Sequence, residues 1–66
     1  MAAKVTIFDG SGRVVKVLFI GRADNRVHTL SWDGRNAQGR EMPAGIYFVT
    51  LEVEKSMVTK KLVLVQ

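Results

Sequence analysis

Sixty-six residues with no cysteine and a net charge of +4 admit one small domain and exclude disulfide staples and thiolate metal sites. Hydrophobic residues at 47% and charged residues at 24% suit a globular chain, not a disordered one. No apolar run reaches the ~18–20 residues of a membrane-spanning helix, and Met1-Ala2-Ala3-Lys4 lacks the apolar stretch of a signal peptide.

The chain reads as all-β. Its six glycines and single proline, Pro43, fall between apolar stretches rich in β-branched and aromatic residues, the punctuation of short strands and turns. Five strands are predicted. The first covers residues 3–8 and ends in the tight turn Asp9-Gly10-Ser11-Gly12. The second covers 13–20, followed by a polar loop over 21–26. The third covers 27–32. A long loop over 33–45 holds Gly34, Gly39, Pro43 and Gly45. The fourth covers 46–54, Lys55-Ser56 turns the chain, and the fifth covers 57–65. Helix competes over 14–20 and at the C-terminus, but both stretches are short and valine-rich. No internal repeat and no low-complexity segment is evident.

Alternation assigns the faces. In the fourth strand Tyr47, Val49, Leu51 and Val53 share one face, opposite Ile46, Phe48, Thr50, Glu52 and Glu54. In the fifth, Val58, Leu62 and Leu64 join Lys60, opposite Val63 and Val65. In the second, Val14, Leu18 and Ile20 lie opposite Val15, Val17 and Phe19. Too many apolar residues face outward for a lone sheet, which calls for cover by a second sheet, further strands or another copy.

Catalytic chemistry is hard to build from this composition. His28, the one histidine, would need Ser11 or Ser31 as a nucleophile. Ser31, three positions on, falls on the opposite strand face, so His28 reads as a half-buried strand residue. Asp33-Gly34-Arg35-Asn36 has the wrong spacing for a calcium loop and no glutamate at its twelfth position. Gly10-x-Gly12 precedes a strand, so no helix N-terminus receives a phosphate. Trp32 and Tyr47 read as core rather than as a stacking platform. The ten basic residues run along the whole chain with only Lys60-Lys61 adjacent, the pattern of solvated faces rather than of a nucleic-acid stripe. No catalytic, cofactor or metal residue is assigned, and no enzyme activity is expected.

The ordered set of loop motifs is more specific than any one of them. His28-Thr29-Leu30-Ser31-Trp32-Asp33-Gly34-Arg35-Asn36, then Gly39-Arg40, then Pro43-Ala44-Gly45-Ile46-Tyr47-Phe48-Val49 resembles the Ig-like domain of flagellar hook-capping proteins. It equally resembles the C-terminal sorting domains of type IX secretion cargo. Upstream, Val5-Thr6-Ile7-Phe8-Asp9 with Gly12-Arg13-Val14-Val15 and Leu18 is similar to their Asp-x-x-Gly-Arg hairpin. Lys60-Lys61-Leu62-Val63-Leu64-Val65 resembles the terminal strand of the sorting domains. The resemblance implies a small Ig-like β-sandwich of about five antiparallel strands and a non-enzymatic role. Trp32, Asp33, Gly34, Gly39, Gly45 and Tyr47 would be its structural motif. Lys60, Lys61, Leu62, Val63, Leu64 and Val65 would form an export or assembly strand.

Two roles follow from the resemblance: a cell-surface sorting domain read by an export machine, or a self-assembling structural or scaffold subunit. The parent protein would then be extracellular or at the cell surface. Both families carry an Asn-Pro segment and one or two strands ahead of the first strand seen here. The expectation is therefore a single domain over 1–66, truncated at its N-terminal side, that associates with itself into a dimer or filament.

Overall fold

The computed structural model describes residues 2–22 and 30–65 of the chain. Among these residues there are four strands and no helix: β1 (Ala2–Asp9), β2 (Val14–Arg22), β3 (Gly45–Val53) and β4 (Ser56–Leu64). They form one antiparallel sheet in the order β2-β1-β3-β4. β1 and β2 make one hairpin and β3 and β4 another. β1 pairs with β3 in the middle, from Ala3 opposite Val53 to Asp9 opposite Tyr47.

Four of the five expected strands are present, with ends shifted by a residue or two. The expected third strand, over 27–32, differs. Residues 27–29, with His28, lie outside the described residues, and Leu30, Ser31 and Trp32 are not in a strand. They open an irregular segment, 30–44, that covers one end of the sheet. The Trp32 indole bonds within this segment instead of standing on a strand face, and the backbone of the segment makes a short ladder of its own.

Register divides the sheet into two faces. The inner face carries Ala3, Val5 and Ile7 of β1, Tyr47 and Val49 of β3, and Leu62 and Leu64 of β4. Ile7, Val15 and Tyr47 are buried at its centre, with Leu18, Trp32, Met42, Val49, Leu62 and Leu64 packed around them. The outer face carries Lys4, Thr6 and Phe8 of β1, Ile46, Phe48, Thr50 and Glu52 of β3, and Met57, Thr59, Lys61 and Val63 of β4.

β2 departs from plain alternation. Its pairing with β1 shifts between Val5 and Thr6 and again between Ile7 and Phe8. Each shift is a bulge that inserts one extra residue, first Leu18 and then Val15. Both extra residues point to the core. Val14, Val17 and Ile20, three apart, then pair with Phe8, Thr6 and Lys4 on the outer face, where they are 60%, 40% and 72% exposed. This corrects the strict alternation expected from sequence, which set Val17 against Val14 and Ile20 and left Leu18 on their side.

Candidate functional site

Two features could carry function: the 30–44 segment over the inner face and the outer face itself. The segment is built from side-chain-to-backbone bonds. Asp33 Oδ1 accepts the Arg35 amide at 3.0 Å and lies 3.8 Å from Lys16 Nζ on β2. The Trp32 indole N–H donates to the Arg35 carbonyl oxygen at 2.9 Å. Its ring meets the Tyr47 ring edge-on, centroids 5.0 Å apart, a favoured aromatic geometry. The Arg35 guanidinium donates to the Gly39 carbonyl at 2.9 Å and lies 3.3 Å from the Glu41 carboxylate. The Met42 amide donates back to the Gly34 carbonyl at 2.8 Å.

Gly34 is buried, with φ +77°, and a Cβ there would lie 3.3 Å from Leu64 Cδ1. Only glycine takes that backbone at low cost and lets the segment sit so close to β4. The Ala37 amide donates to the Val15 carbonyl at 3.2 Å, which ties the segment to β2 as well. Trp32, Asp33, Gly34 and Tyr47 are thus brought together. Gly39 sits out at the tip, where a Cβ would have nothing within 4 Å. Gly45 opens β3.

One relationship escapes a strand-by-strand reading of the sequence. Asp9-Gly10-Ser11-Gly12-Arg13 and Asn36-Ala37-Gln38-Gly39-Arg40 fold into the same five-residue turn. In the first, Asp9 Oδ1 accepts the Ser11 amide at 2.9 Å and the Arg13 amide at 3.0 Å. In the second, Asn36 Oδ1 accepts the Gln38 and Arg40 amides at 3.0 Å each. In both, the first residue's amide donates to the fifth residue's carbonyl, and the fourth residue's amide donates to the first residue's carbonyl. The fourth residue is glycine at φ +90° in one and +83° in the other. The pattern Asp/Asn-x-x-Gly-Arg, twice in 32 residues, is the available signal. The Ser11 hydroxyl, the Arg13 and Ser11 amides and the Arg13 charge hold the Asp9 carboxyl below its ordinary range, the hydroxyl contributing most.

None of this is a catalytic arrangement. Among the described residues, no three His, Cys, Asp or Glu side chains come together as a metal site. Lys60, Lys61, Leu62, Val63 and Leu64 lie on β4, an edge strand, with Val65 just beyond it. Leu62 and Leu64 turn to the core while Lys61 and Val63 face outward.

Comparison with known proteins decides the kinship of this sheet and its covering segment. The family model of the FlgD Ig-like domain matches residues 1–56. The chain belongs to the FlgD Ig-like domain family. The basal-body rod modification proteins FlgD of Salmonella typhimurium and Salmonella typhi are each 44% identical to it over 46 residues. Those matches span 70% of this chain but 20% of either FlgD protein, so the chain corresponds to about a fifth of its curated relatives. No solved structure matches. Of the two resemblances, the flagellar one carries the matches, and nothing among them supports the type IX sorting domains. The FlgD family match ends at Ser56, where β4 begins.

Proposed function

We propose that the domain is a non-enzymatic assembly module that works by protein–protein contact, as a structural or scaffold part of a hook-capping type of protein. The observation that carries this reading is the family match over residues 1–56. The outer face supports it. Val14, Ile46 and Val63 stand exposed there beside the half-buried Phe8 and Phe48, and an apolar cluster of this kind at one end of the face suits a contact surface. The rigid, self-bonded turns at Asp9 and Asn36 suit a part that holds shape rather than one that closes on a substrate. The partners are proteins, and the place of action is the cell surface. Sorting through Lys60 to Val65, the other expectation, has no match behind it and is not carried forward.

The test is an exchange. The matching 46-residue segment of the Salmonella typhimurium FlgD protein is replaced by that of this chain, and hooks are counted by electron microscopy. Hook formation supports the reading. A stable, full-length chimera that forms no hooks overturns it.

A further inference from the structure

We infer that the β4 edge takes an extended strand from a partner protein, one with two adjacent carboxylates in its middle and apolar residues on either side of them. This inference rests on the assembly reading and names the chemistry of its partner. From Met57 onward β4 lies beyond the family match, so its role is read from its own residues. Every residue from Ser56 to Lys61 is exposed, whichever face it stands on. No other strand of the sheet has six exposed residues in a row.

Hairpin geometry says which backbone groups point away from the sheet. Glu54 and Lys55 make a two-residue connection between the paired Val53 and Ser56. The residues that close such a loop form a hydrogen-bonded pair, and bonded and non-bonded pairs then alternate along the ladder. Val58, Lys60, Leu62 and Leu64 therefore direct their backbone groups to β3. Met57, Thr59, Lys61 and Val63 direct theirs outward, where no strand pairs with them among the described residues. The Thr50 and Thr59 hydroxyl oxygens lie 3.2 Å apart, which agrees with the closer side chains of a non-bonded pair.

Charge selects the occupant. Lys60 stands on the inner face and Lys61 on the outer, side by side in the middle of the edge. No carboxylate among the described residues pairs with either. Apolar residues flank the two lysines: Met57 and Val58 are 67% and 50% exposed, Val63 and Val65 61% and 80%. An antiparallel strand with carboxylates opposite Lys60 and Lys61 pairs one lysine on each face and covers the apolar residues beyond. Glu52 and Glu54 lie at the hairpin end, so the middle of the edge stays basic. Backbone geometry admits a second copy here, but charge selects against it. β4 has no carboxylate of its own, so no overlap of two β4 strands neutralises the lysines, and full antiparallel overlap sets Lys60 on Lys60. Lysines guard an edge against its own kind in this way, and a strand of opposite charge is the one they admit.

The experiment is an amide NMR titration of the 66-residue chain with the end-capped peptide Ile-Thr-Glu-Glu-Thr-Val-Val, which in antiparallel register runs from Val63 to Met57. Two control peptides are titrated beside it. One carries Lys-Lys in place of Glu-Glu. The other is N-methylated at its third and fifth residues, which removes donors facing Lys61 and Thr59 and leaves the charge. Shifts are expected along β4, and both controls are expected to bind at least roughly ten-fold more weakly. The double variant Lys60→Glu with Lys61→Glu is expected to reverse the preference and favour the Lys-Lys peptide. Several results overturn the inference: no binding at millimolar peptide, shifts centred on Phe8 and Phe48 instead of β4, an N-methylated peptide that binds equally, or a variant with unchanged preference. If the variant fails to fold, the three peptides on the wild type decide. A wild-type dimer through β4 that the peptide does not displace overturns it too. A chain that ignores the peptide yet builds hooks in the exchange sinks this inference alone. A chain that binds the peptide yet fails the exchange sinks only the assembly reading.

Discussion

The Tyr47 hydroxyl donates a 2.7 Å hydrogen bond to the Pro43 carbonyl oxygen, four residues back along the chain. One side chain thus fills the core with its ring and closes the end of the covering segment with its oxygen. Tyr47→Phe keeps the ring and leaves the carbonyl unpaired, at a cost of about 1 kcal/mol. Tyr47→Ala removes the ring as well and costs about 3–5 kcal/mol. Urea unfolding checks both, and a neutral Tyr47→Phe would mean that the segment is not held at this point.

Gly34 and Gly39 share a left-handed backbone but differ in surroundings. Alanine at Gly39 meets nothing within 4 Å, whereas at Gly34 it meets Leu64 at 3.3 Å. Gly39→Ala is expected to cost only the backbone strain, about 1–2 kcal/mol. Gly34→Ala adds overpacking and reaches about 2–4 kcal/mol in total. Chemical denaturation of the two variants measures the difference. Equal losses would show that the contact with Leu64 is relieved without cost.

Acid should loosen the first turn but not the second. The Asp9 carboxyl titrates below its ordinary value of 3.8, held there chiefly by the Ser11 hydroxyl and the Arg13 amide. A lowered folded value means that its contribution is complete above the ordinary value. It is lost as pH falls from there through the folded value. Asn36 accepts the equivalent amides with an uncharged oxygen, so its turn carries no such dependence. Asp9→Asn is therefore expected to flatten the stability profile below pH ~4, followed by thermal unfolding against pH. An unchanged acid limb would remove Asp9 as its source.

Glu54 sits at φ +45° in the two-residue connection between β3 and β4. Tight hairpins favour asparagine or glycine at such a position, and a longer side chain there carries left-handed strain. Glu54→Asn is expected to stabilise the domain by about 0.5–1 kcal/mol, read as a higher melting temperature. A lower one would mean that the carboxylate makes a contact worth more than the strain.

Much of this is legible in the chain itself. Alternation places Tyr47, Val49 and Leu62 on one face, and the Asp33 bond to an amide two residues on follows from the side chain's reach. The bulges are not legible. Val14 to Ile20 is apolar at every position but Lys16, so nothing in its pattern marks Val15 and Leu18 as the extra residues; only pairing with β1 does. Trp32 misleads for a related reason. Apolar alternation runs into it from Leu30, but its indole N–H finds the Arg35 carbonyl, and the chain turns away to make that bond. The repeated turn is legible but easily passed over, because its two copies begin with different residues, Asp9 and Asn36, whose side-chain oxygens act alike.

The bulges in β2 bear on how the chain could grow. β4 pairs nine consecutive residues without interruption, from Ser56 to Leu64, so its other edge, unpaired among the described residues, presents an even ladder of donors and acceptors that another strand can follow. β2 cannot offer the same. Val15 and Leu18 break the spacing of its free edge, and the Val15 carbonyl is already taken by Ala37. Edge addition therefore has one competent end and one blunt end. Two chains can join through β4 and stop there, because each then presents only its interrupted strand. Pairing through β4 alone therefore ends at two copies, and the filament expected from strand pairing does not propagate by that route.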